Sequence, residues 1–318
     1  MSLNRGSSGL AGGLYVFASL CFVAGAVVLA WPWLSGAVTI PWDAKAQAYP
    51  QIVFLARALA SGDSPFWTPN VFAGFPQIAD PQSQIFSPPY FLLALFNAAP
   101  SFRAVDAVVF AMLVLAGLAL ILYFRDRGWG AAGAMVGAFA FAFGGSAAWR
   151  LQHIGEVISL CWFMLTLLAL SRALSRASIS YGFASGVLAG FMALGRDQIA
   201  FLCIFVLAAY AIWHLLEAPG FWTGLRRALA PLSAGFVGGV LTIAVPIAFT
   251  IVLADDSNRP SMDLEEAVRG SLPPLAMLTA VVSNLFGVDG PMKDYWGPPS
   301  ALVWGEMDVN IARNMGAI

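Results

Sequence analysis

Residues 10–34 read LAGGLYVFASLCFVAGAVVLAWPWL, an apolar run of 25 residues. At a helical rise of about 1.5 Å per residue, such a run crosses a hydrocarbon core of roughly 30 Å. It exceeds the apolar region of a cleaved leader, so despite the small residues at 44–48 it reads as a retained signal anchor and first transmembrane helix. The stretch that follows, residues 41–90, is polar and rich in Pro, Gln and Trp, and Asp43 stands about ten residues beyond the span, where the chain has just left the bilayer.

The rest of the chain shares this division. Of 318 residues, 59% are hydrophobic and 10% charged, with a mean hydropathy of +0.78. Soluble domains carry about 25% charged residues, so the fold class is all-α, a polytopic integral membrane protein. A net charge of −1 leaves no basic face to displace counterions from nucleic acid, which excludes that class of partner. Cys21, Cys161 and Cys203 are odd in number and each lies in an apolar run, so they read as small buried hydrophobes and imply neither a disulfide nor a zinc site.

Further apolar runs at 102–124, 129–148, 154–174, 179–194, 199–216 and 228–253 bring the expected crossings to about seven, the last softened by Pro231 and Pro246. Gly144, Gly145, Gly235, Gly238 and Gly239 read as close helix packing, and no phosphate loop is present. Residues 35–100 form the first loop of a single membrane domain covering 1–318. Within that loop, 49–60 place Ile52, Phe54, Leu55, Ala58 and Leu59 at three- and four-residue spacing, which predicts a surface helix ended by Ser61-Gly62-Asp63. Residues 85–96, opening near Pro88-Pro89, predict a second interfacial or re-entrant helix. Arg5, Arg125, Arg127, Arg172, Arg176, Arg226 and Arg227 fall on one side and Arg150 and Arg196 in short turns on the other, so the loop bearing Asp43 is expected outside. Residues 254–318 are expected to be a second external segment with one short interfacial run, ending in a Trp-rich polar tail that suggests truncation of a longer protein.

The order Trp42-Asp43, Gln47-Ala48-Tyr49, Gly62-Asp63-Ser64-Pro65-x-Trp67, Gly74-x-Pro76-Gln77 and Pro81-Gln82-Ser83 resembles the YfhO-like bacterial membrane proteins. Later stretches extend the likeness over most of the chain: Arg150-Leu151-Gln152-His153, Pro273-Pro274 before Leu278-Thr279 and Asn284-Leu285-Phe286-Gly287, and Tyr295-Trp296-Gly297-Pro298. The resemblance implies a type C membrane glycosyltransferase in a bacterial cytoplasmic membrane. It would pass a sugar from a polyprenyl-phosphate donor to a cell-envelope glycan or lipid acceptor on the outer face, with membrane lipids around it. The base expected in the first external loop falls on Asp43. Arg196-Asp197-Gln198 departs from the His-Pro-Gln expected at that turn, and Asp80 stands where Asn is commoner.

The chemistry needs few groups. Transfer from a sugar phosphate requires a base for the acceptor hydroxyl, whereas the phosphate leaves without a proton, so one carboxylate and a cation suffice. Asp43 is the candidate catalytic residue; its alternative is a solvated helix flank. Arg150, Arg196 and Lys293 are the candidate phosphate ligands, with Lys45 at similar depth; the arginines offer a bidentate fork and otherwise mark helix ends. Gln47, Tyr49, Trp67, Gln77, Gln82 and His153 are the candidate substrate contacts. Trp67, with Phe72 and Phe75, equally suits an interfacial aromatic belt, the glutamines equally suit loop backbone, and His153 equally suits a hydrogen-bonded interfacial position. Asp255-Asp256 offers a divalent metal oxygen ligands but reads better as a solvated turn, so no cofactor is assigned. Against the enzyme stand a transporter or flippase for a lipid-linked saccharide, or a non-catalytic scaffold; charges at span ends and the absence of a fixed-period repeat favour the enzyme.

Overall fold

The computed structural model describes residues 5–80, 82–195, 197–256, 274–282, 285–287 and 296–297. Among them the chain runs as α1 (Arg5–Leu34), a π-helical turn (Ala44–Ala48), α2 (Tyr49–Ser61), α3 (Pro88–Phe96), α4 (Phe102–Asp126), α5 (Ala131–Phe143), α6 (Gly145–Arg150), α7 (Ile154–Arg176), α8 (Ile179–Ala193), α9 (Gln198–Leu216) and α10 (Phe221–Asp255). Pairing of extended backbone among the described residues is confined to one antiparallel bridge, Thr68 to Phe75. The chain is an all-α, polytopic, membrane-embedded protein. It divides into two compact units, Met1–Asp256 and Ser257–Ile318.

Among the described residues, six helical segments are long and apolar enough to cross a membrane. Two expected crossings differ in detail. The run at 129–148 is interrupted at Gly144, whose extended ψ of 172° separates α5 from α6. α8 has 15 residues, which rise about 22 Å, short of a hydrocarbon core of about 30 Å. Local chemistry sets the ends. Gly62, at φ 74°, terminates α2 where that reading expected it, because a left-handed residue turns the last amides back onto the Ala58 and Leu59 carbonyls. Ser101, Ser178 and Asp197 cap α4, α8 and α9 by accepting from backbone N–H groups that a helix cannot satisfy internally.

α7 is the central helix: 72% of its apolar segment is buried, against 11% for α10 and 17% for α9. The outer faces of α9 and α10 are apolar, as a lipid-facing surface requires. α8 packs between α7 and α10, and lies against α10 along a glycine seam. A methyl group at Gly182 or Gly186 would overlap the carbonyls of Pro231 or Gly235, so only glycine allows the backbones to approach this closely. In the absence of a hydrophobic drive inside lipid, such packing is what holds neighbouring helices together. The other half of the core gathers α1, α4, α5 and α7 around Phe22, whose ring meets Phe139 edge-on at 5.0 Å. Cys161 and Cys203 are buried and Cys21 half-buried, all three as free thiols.

In the loop between α1 and α4, α2 buries Ile52, Leu55, Ala56 and Ala58, and Leu55 and Ala56 share a cluster with Ile85 and Ala94 of the α3 region. These short helices are packed structure around the bundle end. In the second unit, Pro274–Ala280 form a 3-10 helix, and the Trp296 amide donates to the Phe286 carbonyl at 2.9 Å.

Candidate functional site

Asp43 is delivered by a short, heavily constrained segment. The Ile40 amide donates to Asp106 Oδ2 at 3.1 Å, and Asp106, on α4, is 3% exposed. Pro41 follows, and Trp42 then adopts φ 55°, a left-handed conformation costly for a bulky residue by about 1–3 kcal/mol. The Trp42 carbonyl accepts from the Lys45 and Ala46 amides at 2.9 and 2.8 Å, which opens the π-helical turn. Asp43 occupies the cap of that turn, and its own backbone is helical. A strained residue held from both sides thus fixes where the carboxylate points.

The carboxylate meets an imidazole. Asp43 Oδ2 lies 3.2 Å from His153 Nδ1, across 110 residues of sequence, and their side chains are 56% and 41% exposed. His153 is the residue before α7, and its Nε2 stands 3.3 Å from Gln152 Nε2. One turn into α7, Glu156 accepts from Arg150 Nη1 at 2.6 Å. The turn between α6 and α7 therefore presents imidazole and guanidinium on the side of the Asp43 loop. A carboxylate against an imidazole is an acid–base pair: a neutral His donating through Nδ1 orients the carboxylate and leaves it free to take a proton.

The remaining candidates divide. Gln47 and Gln82 hydrogen-bond to each other, Gln47 Nε2 donating to Gln82 Oε1, and both are exposed. Gln51 donates to Asp80 Oδ2 at 3.3 Å, while Asp80 Oδ1 accepts the Gln82 amide at 2.9 Å and so shapes the turn. Tyr49 serves the fold: its ring stacks on Phe102 at 3.8 Å and its hydroxyl donates to the Pro100 carbonyl at 3.0 Å. Lys45 sits 5.3 Å over the same Phe102 ring. Trp67 is half exposed, lying against Gly74 inside the Thr68–Phe75 bridge, with Phe72 exposed at the tip. Gln77 is 3% exposed, with a buried Oε1 that has no hydrogen-bond partner among the described residues. Arg196 and Lys293 lie outside the described residues.

Three residues absent from the sequence-based assignment belong to this end. Asp106 anchors the segment leading to Asp43; the signal for it is a lone carboxylate early in the apolar run at 102–124. Glu156 occupies Arg150. Asp197 caps α9 by accepting the Ala200 amide at 2.8 Å and meets the Ser159 hydroxyl at 2.6 Å. Burial pushes the Asp197 carboxyl up, bonds from Ser159 and Ala200 pull it back, and the Glu156 charge raises it again. Ser159 also lies 3.0 Å from the Met192 carbonyl, and its single proton serves one of these two acceptors, so a proton on Asp197 would satisfy both. Beside them is a cavity of about 20 Å³ lined by Ser83, Gln84, Ser87, Gly155, Ser159 and Gly195. That is room for about one water, not for a sugar ring.

The arrangement offers an exposed carboxylate, an imidazole 3.2 Å from it and, three residues before that imidazole, a guanidinium already engaged by a carboxylate. No protein-family model, no curated protein and no solved structure matches the chain.

Proposed function

We propose that the chain works as an integral-membrane glycosyltransferase that moves a sugar from a polyprenyl-phosphate donor to a cell-envelope acceptor, on the extracytoplasmic face of a bacterial cytoplasmic membrane. The observation that carries this reading is the Asp43–His153 pair, a half-exposed carboxylate oriented by an imidazole 3.2 Å away at one end of a membrane bundle. In the step envisaged, Asp43 takes the acceptor hydroxyl proton as the acceptor oxygen bonds to the anomeric carbon. The bond from that carbon to the phosphate oxygen breaks, and polyprenyl phosphate leaves with the electron pair and without needing a proton. Arg150 would steady that phosphate by exchanging Glu156 for it, since an arginine fork suits either anion.

Two further features support the reading. Among the described residues, Arg125, Arg127, Arg172, Arg176, Arg226 and Arg227 gather at the helix ends opposite Asp43, the distribution expected of a cytoplasmic face. Charged side chains sit near helix ends and not at mid-span, which favours an enzyme working at the headgroups over a transporter.

The test is transfer by the full chain in lipid nanodiscs supplied with radiolabelled polyprenyl-phosphate hexose and a cell-envelope glycan fraction. Wild type should release polyprenyl phosphate, and Asp43→Asn, equally folded, should lose about 100-fold or more of that rate. Full activity in Asp43→Asn would remove the proposal.

A further inference from the structure

The helix ends remote from Asp43 carry a cation that neither the fold nor the proposed reaction consumes. Arg127 is the C-cap of α4. Its Nε and Nη2 both donate to the Tyr123 hydroxyl at 3.3 Å, and Nη2 donates to the Tyr210 hydroxyl at 3.0 Å. The guanidinium carbon stands 5.4 Å from the Tyr123 ring centre and 5.6 Å from that of Tyr210. The two rings meet edge-on at 6.5 Å, and Trp129 meets Tyr123 edge-on at 5.8 Å. Two phenols from α4 and α9 thus fix the plane of the guanidinium, and being neutral they orient its charge without cancelling it.

The neighbouring carboxylates do not cancel it either. Asp126 is taken by Arg172 at 2.6 Å and Arg125 at 3.6 Å. Glu217, the C-cap of α9, attracts Arg127 from a distance, and no carboxylate among the described residues lies within ion-pair reach of it. Arg127 is exposed, and Arg125, Arg176, Arg226 and Arg227 are exposed at the same helix ends. An oriented, uncompensated guanidinium where helices leave a bilayer stands among phosphodiesters, and its fork matches their oxygens. We propose that Arg127, caged by Tyr123 and Tyr210, is a binding site for the phosphate of an anionic phospholipid headgroup. The site is independent of the reaction assigned to Asp43.

Native mass spectrometry of the full chain in neutral detergent, titrated with phosphatidylglycerol, phosphatidylcholine or inorganic phosphate, tests it. Phosphatidylglycerol should bind, phosphatidylcholine should bind far more weakly, and inorganic phosphate should not compete. Arg127→Gln should weaken phosphatidylglycerol by more than the roughly fivefold, about 1 kcal/mol, that any one arginine at the headgroups is worth, because it loses the oriented fork as well as the charge, while Arg227→Gln should lose that fivefold at most. Arg127→Lys, which keeps the charge and loses the fork, should fall between wild type and Arg127→Gln, and it decides the matter if Arg127→Gln misfolds. Wild-type affinity in Arg127→Gln or Arg127→Lys, an equal loss in Arg227→Gln, or competition by inorganic phosphate would overturn the assignment.

Discussion

Two carboxylate contacts mark the two ends of the bundle, and they differ in how far water reaches them. Asp126 and Arg172 join α4 to α7 at 2.6 Å, with side chains only 18% and 16% exposed. Asp43 and His153 join the first loop to the start of α7 at 3.2 Å, with side chains 56% and 41% exposed. In the first pair, packing has withdrawn both partners from water, so their attraction is strong and breaking it strands a charge. In the second, water screens the attraction, and the contact contributes little to stability while leaving the carboxylate reachable. The same chemistry therefore makes a staple at one end and leaves a reachable carboxylate at the other, the one the proposed reaction uses as its base, and exposure decides which.

Exchanging the damage between the ends is the sharpest way to break this contrast. Asp43→Asn should lower sugar transfer by about 10²- to 10⁴-fold, the usual worth of a general base, with an unchanged melting temperature. Asp126→Asn should do the reverse, costing about 1–3 kcal/mol of stability through the lost charge-assisted hydrogen bond with transfer intact. Thermal unfolding and transfer assays on both variants check this; a destabilised Asp43→Asn would erase the distinction.

Asp106 sharpens it further, because the amide it holds lies three residues from Asp43. Asp106→Leu should reduce kcat by up to about 100-fold, the scale of a misplaced base, with KM little changed. Asp106→Asn, which keeps an acceptor oxygen, should recover most of it. Equal losses in both variants would assign Asp106 to folding alone.

A smaller effect comes from Asp197, whose carboxyl burial holds above its ordinary range. The folded state then binds this proton more tightly than the unfolded chain. The stability it contributes is complete below about pH 4 and is lost as pH rises through the elevated value. Relative to wild type, Asp197→Asn should gain stability over that window, read as the difference between two melting curves at each pH. A constant difference would place the proton elsewhere. Smallest of all, Gln82→Ala should change transfer less than about fivefold, since Gln82 meets Gln47 in an exposed contact worth about 1 kcal/mol or less.

Much of the fold was legible because lipid imposes a simple rule on sequence: a spanning segment must be apolar and satisfy its own backbone. The runs that became α1, α4, α7, α9 and α10 were visible for that reason, as was the stop at Gly62. The break at Gly144 was not, because one extended residue inside an apolar run leaves composition unchanged. The candidate site was legible in its residues but not in their contacts. Asp43 and His153 could each be picked out as lone polar groups beside spans, but their meeting depends on how the first loop folds back over α7. The packing of Tyr49 was not legible for a physical reason: an aromatic beside a polar loop looks the same in sequence whether or not its ring stacks, as it does here, on Phe102. Asp106 was readable in principle as a carboxylate inside an apolar stretch, yet what it anchors, the Ile40 amide, leaves no trace in sequence.

The most direct test of the account compares kcat for Asp43→Asn and His153→Gln side by side in the full chain. With Asp43 as the base and His153 orienting it, the asparagine variant should lose at least about tenfold more than the glutamine variant. A larger loss in His153→Gln, or wild-type kcat in Asp43→Asn, would contradict it.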